Sequence, residues 1–242
     1  NVVSVMYRSA LKKARTVFFE NEENARFFLH KNIISAQQMK VLPGAGINLD
    51  EYPHIPMQDD GVCSFLFVGR IMKEKGVDEF FAAAKTLKDE FRDTVSFDIV
   101  GFYEDAYRET VEKLVDDGVV KFYGFQSDVH PFYEKADCIV LPSYHEGMSN
   151  VLLEGAATGR ALITSDIPGC REAVEDGLSG YLCQPQDTVS LTDAMRKIVK
   201  KSFAEQSQMG LCGRKLVERR FDKRIVVAQT IGSLGLDEAV RR

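Results

Sequence analysis

The chain has 242 residues, of which 45% are hydrophobic, so it can bury one substantial core or one full domain with part of another. Its formal net charge of -5 argues against a general nucleic-acid or anionic-membrane surface, because such partners favour a strongly basic face. Its five cysteines are odd in number, scattered and never in a C-x-x-C pair, which favours reduced thiols over a disulfide framework or a zinc site.

The first 58 residues carry too little regular structure to enclose a core alone. The pattern predicts helices at 2–14 and 23–31 and short strands at 16–19 and 39–42. Two interpretations stay open: a small extension packed on the main domain, or the end of a domain whose remainder is missing. We favour the second, since strand 16–19 needs neighbours and the chain starts at Asn1, not Met, as expected of a fragment.

A regular alternation of strands and helices begins near residue 62, after linker-like breaks at 43–46 and 52–56. The predicted strands are 65–69, 95–101, 119–124, 138–142, 161–164 and 181–183. The predicted helices are 77–91, 106–117, 129–135, 150–158, 171–175 and 191–201, with further helices in 204–242. This alternation predicts an α/β fold, a doubly wound, Rossmann-like parallel sheet that is covered on both faces.

Ligands of such sheets bind outside the carboxyl ends of the strands. Three of these ends begin with glycine, at Gly69, Gly101 and Gly124, which lets a ligand approach the backbone. The first loop adds Arg70 and Lys75, a planar and a flexible cation that together suit a diphosphate. Two solvated loop charges are the alternative. Neither a Walker A sequence nor a G-x-G-x-x-G after a strand is present, which disfavours P-loop and ordinary dinucleotide sites.

Residues 145–154, here called the glutamate turn, connect the strand at 138–142 to the helix at 150–158. The backbone amides of residues 147–150 are expected at the helix N-terminus, which carries an equivalent of roughly +0.5 charge and suits an anion. Ser149 and Asn150 are also ordinary capping residues. Glu154 is flanked by apolar residues, so we expect a buried carboxylate that needs partners, whereas Glu146 alone could be a surface carboxylate.

Together these residues resemble the C-terminal domain of the family 4 retaining glycosyltransferases of the GT-B fold. The residues that carry the resemblance are Gly69-Arg70, Lys75-Gly76, Pro142-Ser143, Glu146-Gly147, Glu154-Gly155, Gly159, Ile167-Pro168-Gly169 and Glu172. Glu146 and Glu154 match the family's E-x7-E motif, and the resemblance covers about residues 62–200.

The resemblance implies a role for each matching residue. Arg70 and Lys75 would bind and stabilise the diphosphate of a nucleotide-sugar, and Glu146 would face the donor sugar; these three are the catalytic candidates. Glu154 would hold the ribose hydroxyls. The remaining donor-binding candidates are Gly69, Gly101, Gly124, Phe125 and Val129 around diphosphate and base, and Gly147, Met148, Ser149 and Asn150 near sugar and phosphate. Retention of configuration and catalysis without metal or other cofactor are further implications of the resemblance.

The sequence departs from the family pattern at Gly155, at Ala161 and in the aromatic loop after Gly101, which puts the base contacts in doubt. The family's catalytic histidine lies in the N-terminal domain, so no histidine here inherits that role. We expect surface or capping roles for His30, His54 and His130, while contact of His145 with the donor stays open.

By the same resemblance, residues 1–58 are the remnant of an N-terminal acceptor domain with the linker, 59–203 the nucleotide-sugar domain, and 204–242 helices that cross back. The expected partners are a nucleotide-sugar, with UDP chosen on family frequency, and a saccharide or lipid-linked acceptor, but no nucleic acid.

The C-terminal part contains a basic cluster that is either a solvated face or a surface that binds the N-terminal domain or an anionic membrane. The cluster comprises Lys215, Arg219, Arg220, Lys223 and Arg224. No sequence run is long and apolar enough for a membrane span and no signal peptide is present, so we expect a cytoplasmic protein, peripheral on the plasma membrane.

Three functions compete. The leading one is a glycosyltransferase for cell-surface polysaccharide, represented mainly by its donor-binding half. A nucleotide-binding module without catalysis would use the same cleft. A glycoside hydrolase with Glu146 and Glu154 as paired carboxylates is the weakest, because a buried helical glutamate cannot easily flank a scissile bond and a hydrolase does not need Arg70 and Lys75.

Overall fold

The computed structural model describes residues 2–235; Asn1 and residues 236–242, the end of the predicted C-terminal helical region, lie outside the described residues. The N-terminal part contains α1 (Val2–Leu11), β1 (Val17–Phe19), α2 (Glu22–His30) and β2 (Met39–Val41). Strand β1 finds its neighbour in β2, with Val17 opposite Met39 in a parallel pair. Phe19, Ala25, Ile33 and Ile34 form a small core of their own beneath this pair.

The main sheet has six parallel strands in the order β5-β4-β3-β6-β7-β8. Its strands are β3 (Cys63–Val68), β4 (Val95–Val100), β5 (Lys121–Phe122), β6 (Cys138–Leu141), β7 (Ala161–Ser165) and β8 (Gly180–Cys183). The helices among them are α3 (Val77–Phe91), α4 (Arg108–Asp116), α5 (His130–Lys135) and α6 (Asn150–Ala157), followed by α7 (Thr188–Val199). The predicted doubly wound α/β class is confirmed.

Burial of the central strands explains their sequences. Every residue of β6 and β7 is buried, because helices cover both faces of the sheet at its centre. Phe65 and Phe67 of β3 are fully buried, and Phe65 stacks on Phe97 of the neighbouring strand. Helices α3 and α7 pack together on one side, and α6 packs on the long C-terminal helix described below. The carboxyl ends of the strands therefore form one edge of a rigid layer.

Most predicted bounds differ from the structure by a few residues, and two predicted elements change in character. The strand predicted at 119–124 is only Lys121–Phe122, because it is the edge strand and lies between Gly118 and Gly124, which both have positive φ. The helix predicted at 171–175 is a single 3-10 turn, Arg171–Ala173, because so short a segment cannot offset the cost of nucleating an α-helix.

The C-terminal part forms α8 (Phe203–Arg220) and α9 (Lys223–Leu234). A capping box between Ser202 and Glu205 begins α8. The turn between the two helices is tied to the linker, since the amide of Ile47 donates to the carbonyl of Phe221 at 2.8 Å and its carbonyl accepts from Lys223 at 2.9 Å. In the part of the chain that the structure describes, no helix has the length and apolar character needed to cross a membrane.

Candidate functional site

The glutamate turn lies at the carboxyl edge of the sheet, between β6 and α6. Ser149 is the N-cap of α6, and its hydroxyl accepts from the amide of Leu152 at 3.4 Å. The amide of Ser149 donates to the carbonyl of Gly169 at 2.9 Å, so it is already engaged by protein. Met148 is buried and Asn150 is exposed, which leaves the turn partly open to solvent at the helix N-terminus.

Lys75 and Glu146 form an ion pair in this structure. The Nζ of Lys75 lies 2.6 Å from Oε1 of Glu146, and the hydroxyl of Ser143 donates to the same oxygen at 2.8 Å. The side chains are only 27% and 14% exposed, respectively. Gly76, in the left-handed conformation, lies so close to the carbonyl of Pro142 that a Cβ would collide with it. This close approach brings the first loop against the glutamate turn.

Arg70 extends from the same loop but remains exposed. Its guanidinium carbon lies 5.7 Å from the centre of the Phe102 ring, an arrangement suited to a cation–π contact. The backbones of Gly69 and Gly101 touch so closely that a Cβ on Gly101 would collide with the carbonyl of Gly69. The structure thus brings the first two glycine-led strand ends together, with Arg70 above them.

The third glycine-led strand end joins the same row. The amide of Gly101 donates to the carbonyl of Gly124 at 2.9 Å. The next residue, Phe125, is 70% exposed and Phe102 is 53% exposed, so two unpacked aromatic rings stand at this edge. Exposed rings of this kind can stack on a nucleobase. Val129 is half-buried and caps the start of α5 nearby.

Glu154 has one of the partners that a carboxylate removed from solvent needs. The hydroxyl of Tyr133 donates to its Oε2 at 2.8 Å. Burial raises the pKa of Glu154, and the hydrogen bond from Tyr133 opposes that rise by favouring the charged form. Tyr133 was not among the predicted site residues, although it lies within the helix predicted at 129–135.

The histidines differ in their surroundings. His145 is exposed beside Glu146. His130 is more than a helix cap, because its Nδ1 lies 2.7 Å from Oδ1 of Asp128 and its ring stacks on Tyr52 at 4.7 Å. His54 packs over Gly159, and burial lowers its pKa, with the charge of a neighbouring arginine acting in the same direction.

The N-terminal part contributes two contacts that sequence reasoning missed. The side-chain amide of Asn21 donates to the carbonyl of Gly147 at 3.0 Å. The carboxylate of Glu20 lies over Gly147, where any Cβ would collide with it. Both residues directly follow the short strand β1, so the carboxyl end of that strand points at the glutamate turn. Their position directly after a predicted strand was the sequence signal that could have identified these two residues.

Within residues 2–235 no group of three or more histidine, cysteine, aspartate or glutamate side chains could hold a metal ion. The edge instead combines two cations, a helix N-terminus, two exposed rings and two glutamates. Chemically, this set can hold an anionic leaving group and a polar ring system.

A sequence model of the family described as glycosyl transferases group 1 matches residues 63–201, more than half of the chain. The chain belongs to this family. Its six-stranded fold is that of the GT-B glycosyltransferases.

Curated relatives of this group 1 glycosyltransferase are similar to it at 27% and 31% identity over the aligned residues. It is 27% identical over 211 residues to N,N'-diacetylbacillosaminyl-diphospho-undecaprenol alpha-1,3-N-acetylgalactosaminyltransferase of Campylobacter jejuni, covering 82% of this chain and 55% of the relative. It is 31% identical over 173 residues to glycogen synthase of Mycobacterium tuberculosis, covering 70% of this chain and 42% of that protein. The chain thus spans about half the length of these relatives.

Solved structures share the fold of this glycosyltransferase. Sucrose-phosphate synthase from Thermosynechococcus elongatus superimposes with a TM-score of 0.80 at 24% identity, over 100% of this chain and 62% of its own. Anabaena Alr3699/HepE in complex with UDP gives a TM-score of 0.80 at 17% identity, over 96% of this chain and 68% of its own. At these identities the likeness establishes the fold alone.

Proposed function

We propose that this chain is the donor-binding half of a glycosyltransferase that moves a sugar from a nucleoside-diphosphate-sugar, with UDP as the first choice, to a saccharide or lipid-linked acceptor. The observation that carries the proposal is the Lys75–Glu146 ion pair next to the N-terminus of α6, with the exposed Arg70 on the same loop as Lys75. A diphosphate would draw both cations to itself and leave Glu146 facing the sugar. The rest of the enzyme, including its acceptor side, is proposed to lie outside this chain.

In glycosyl transfer, negative charge develops on the departing diphosphate. Arg70 can bind phosphate oxygens through two parallel N–H bonds, while Lys75 acts as a point charge. Once Lys75 has left Glu146 for the diphosphate, cations and helix N-terminal amides held at the leaving group stabilise such charge, and this is the usual source of the largest catalytic effect. Catalysis without a metal and retention of configuration belong to the proposal, following the family resemblance.

The remaining candidates have positions that support the same proposal. Gly69 directly precedes Arg70, and Gly101 has no side chain because the carbonyl of Gly69 fills the space a Cβ would take, so the two strand ends lie close together beside the proposed phosphate site. Phe125, beside Gly124 and Val129, offers an exposed face for the base. Glu154 lies five residues after Ser149, about one and a half turns along α6, where its free lone pairs can accept ribose hydroxyls. A role for Glu154 as a hydrolytic acid or nucleophile is disfavoured, because the hydroxyl of Tyr133 already holds its carboxylate.

The comparisons support the choice of donor and pathway class. Solved neighbours have been crystallised in complex with UDP. Relatives include a transferase named for a diphospho-undecaprenol acceptor, a capsular polysaccharide enzyme of Staphylococcus aureus and a lipopolysaccharide core enzyme of Rhizobium meliloti. We therefore propose cell-surface polysaccharide synthesis at the cytoplasmic face of the membrane.

Calorimetry with UDP, GDP and ADP tests the donor site. We expect UDP to bind the wild-type chain, and Arg70→Ala and Glu154→Gln to bind at least tenfold more weakly, since each loses a hydrogen bond that involves a charged group. Arg196→Ala is the matched control, because Arg196 pairs with Glu90 on α3, away from the glutamate turn. Binding of none of the nucleotides, or unaltered binding in both site variants, would remove the assignment.

Catalysis is tested on the full-length enzyme with a nucleotide-sugar and a lipid-linked acceptor. Sugar transfer is expected from the full-length enzyme but not from this chain alone, because the acceptor side is proposed to lie elsewhere. Persistent inactivity of the full-length enzyme with intact nucleotide binding would favour a non-catalytic nucleotide-binding module.

Peripheral membrane binding through the basic cluster is a second element of the proposal. Arg219 pairs with Glu175, and Arg224 pairs with Asp222, so part of the cluster is neutralised locally. Lys215, Arg220 and Lys223 would therefore carry the binding. Salt-dependent binding of the full-length enzyme to anionic liposomes, reduced when these three are replaced by Ala, is expected; unchanged binding would contradict the membrane role.

A further inference from the structure

Glu146 has a second partner besides Lys75. The hydroxyl of Ser143, which follows strand β6, donates to Oε1 of Glu146 at 2.8 Å. The same oxygen lies 2.6 Å from the Nζ of Lys75. Ser143 is fully buried, so water does not compete for its hydroxyl. One carboxylate oxygen is therefore shared by a flexible cation and a buried hydroxyl.

The backbone that carries Ser143 is fixed on both sides. The carbonyl of the preceding residue, Pro142, lies so close to Gly76 that a Cβ there would collide with it. The following residue, Tyr144, is anchored on α3, where its phenol oxygen lies 2.8 and 2.9 Å from the two carboxylate oxygens of Glu79. Glu79 is itself buried, so this anchor lies away from solvent. The hydroxyl of Ser143 therefore keeps its place at the edge of the sheet.

The two partners of Glu146 differ in mobility. Lys75 carries its charge on a flexible four-carbon stem, so its ammonium can turn towards a diphosphate while its backbone stays in place. The hydroxyl of Ser143 is attached directly to Cβ and cannot follow. When a diphosphate takes the ammonium of Lys75, Ser143 is the partner that Oε1 of Glu146 keeps.

The hydrogen bond from Ser143 becomes stronger when Lys75 leaves. While the ammonium neutralises Glu146, the hydroxyl donates to one half of an ion pair. After the ammonium has moved, the same hydroxyl donates to an uncompensated carboxylate that is only 14% exposed. Hydrogen bonds to charged groups are stronger than those between neutral groups, and a buried charge without a partner is costly. The hydroxyl therefore stabilises the open arrangement more than the closed one.

We infer that Ser143 is a positioning residue for the donor site: its hydroxyl holds Glu146 when Lys75 moves to the diphosphate, and so lowers the free energy needed to open the ion pair. The inference rests on the proposed donor site. It gives Ser143 a part in nucleotide affinity without contact to the nucleotide. Because the hydroxyl holds Oε1 of Glu146, the other oxygen is left to face the sugar.

The test is calorimetry with UDP on Ser143→Ala in two backgrounds. In the wild-type background, Ser143→Ala should weaken UDP binding about fivefold, the difference between a hydrogen bond to a neutral group and one to a charged group. In Lys75→Met no ammonium leaves Glu146, so the partners of the carboxylate are the same before and after binding. There, Ser143→Ala should change the affinity for UDP by less than about twofold.

A purely structural role gives a different pattern. Loss of a buried hydroxyl that only supports the fold weakens UDP binding equally with and without Lys75. Ser165→Ala is the matched control, because Ser165 is a buried serine at the end of the neighbouring strand β7, and its hydroxyl has no hydrogen-bond partner among the described residues. Ser165→Ala should leave the affinity for UDP unchanged in both backgrounds.

The outcomes separate the two proposals. If Lys75→Met weakens UDP binding but Ser143→Ala has no effect, or the same effect in both backgrounds, the positioning role is refuted and the donor site stands. If the wild-type chain does not bind UDP, or Lys75→Met binds it equally well, the assignment of Lys75 to the diphosphate and the inference fall together. Thermal melting identifies any variant that fails to fold. Should Ser143→Ala be one, Ser143→Cys, whose thiol is a weak donor, takes its place with the same expected pattern.

Discussion

The ion pair between Lys75 and Glu146 must open before Lys75 can bind a diphosphate. At 2.6 Å and an effective dielectric constant of about 20, the gross attraction is about 6 kcal/mol. Desolvation of both groups removes most of that. Exposed pairs contribute up to about 1 kcal/mol, and breaking a buried pair costs about 3–5 kcal/mol. A pair with exposures of 27% and 14% lies between these limits, so we take its opening to cost about 1–2 kcal/mol.

Glu146→Gln should therefore strengthen the binding of UDP. The amide retains one weak acceptor for Lys75, so about 1 kcal/mol of the cost is recovered, which corresponds to about fivefold tighter binding. UDP is the informative ligand, because it has no sugar and so does not depend on the proposed sugar contact of Glu146. Lys75→Met, which removes the cation, should weaken UDP binding about tenfold.

The assay is calorimetry at low and moderate salt on both single variants, the Lys75→Met/Glu146→Gln double variant and a control. In the double variant the gain from Glu146→Gln should vanish, because there is no lysine to release. Glu90→Gln, which removes a carboxylate on the far end of α3, controls for net charge. Unchanged or weaker UDP binding by Glu146→Gln would refute the reasoning, as would a gain that persists in full without Lys75.

Three further changes test other parts of the structure. In denaturant titrations, Gly169→Ala should lower the free energy of unfolding by more than Gly177→Ala does. Both glycines have positive φ, but only at residue 169 would the new Cβ collide with the backbone of the glutamate turn. Equal losses of stability in the two variants would contradict the collision. Arg160→Met should lower the free energy of unfolding by about 2 kcal/mol, because the buried guanidinium of Arg160 donates to two carbonyls in the last turn of α5 at 2.7 and 3.3 Å. An unchanged free energy of unfolding would show that these carbonyls find other donors. The hydrogen bond to Asp128 raises the pKa of His130 above 6.5, so the stabilisation by the charged imidazole is complete below pH 6.5 and is lost as the pH rises through the folded-state pKa. In thermal melts, the wild-type melting temperature should fall over that pH range and that of His130→Gln should not. Identical pH profiles of the two proteins would contradict this prediction.

Hydrophobic periodicity was sufficient to predict the main sheet and its alternating helices. It was less informative at edges, where β5 is two residues long and the segment after Gly169 forms only a 3-10 turn. The periodic pattern arises because buried side chains are apolar, and edge strands and short connecting segments bury few side chains. The same weakness applies to β1 and β2, which form a sheet of only two strands.

The site was predicted in outline because parallel strands must end at one edge. Gly69, Arg70, Lys75 and Glu146 all follow strand ends, so their common location required no knowledge of side-chain packing. Their roles as donor ligands remain predictions. The sequence did not indicate that Lys75 and Glu146, 71 residues apart, would pair with each other.

The sequence by itself determined the class of fold, the edge that can bind a ligand and most of the candidate residues, because these depend on local patterns and on the geometry of all parallel sheets. Tertiary structure alone decided which candidates touch. Tyr52 of the linker stacks on His130, Asn21 reaches Gly147 across 126 residues, and Lys75 closes on Glu146 because Gly76 packs against Pro142. Such contacts depend on how separate segments pack in three dimensions, and loops that meet in space carry no shared periodicity in the chain.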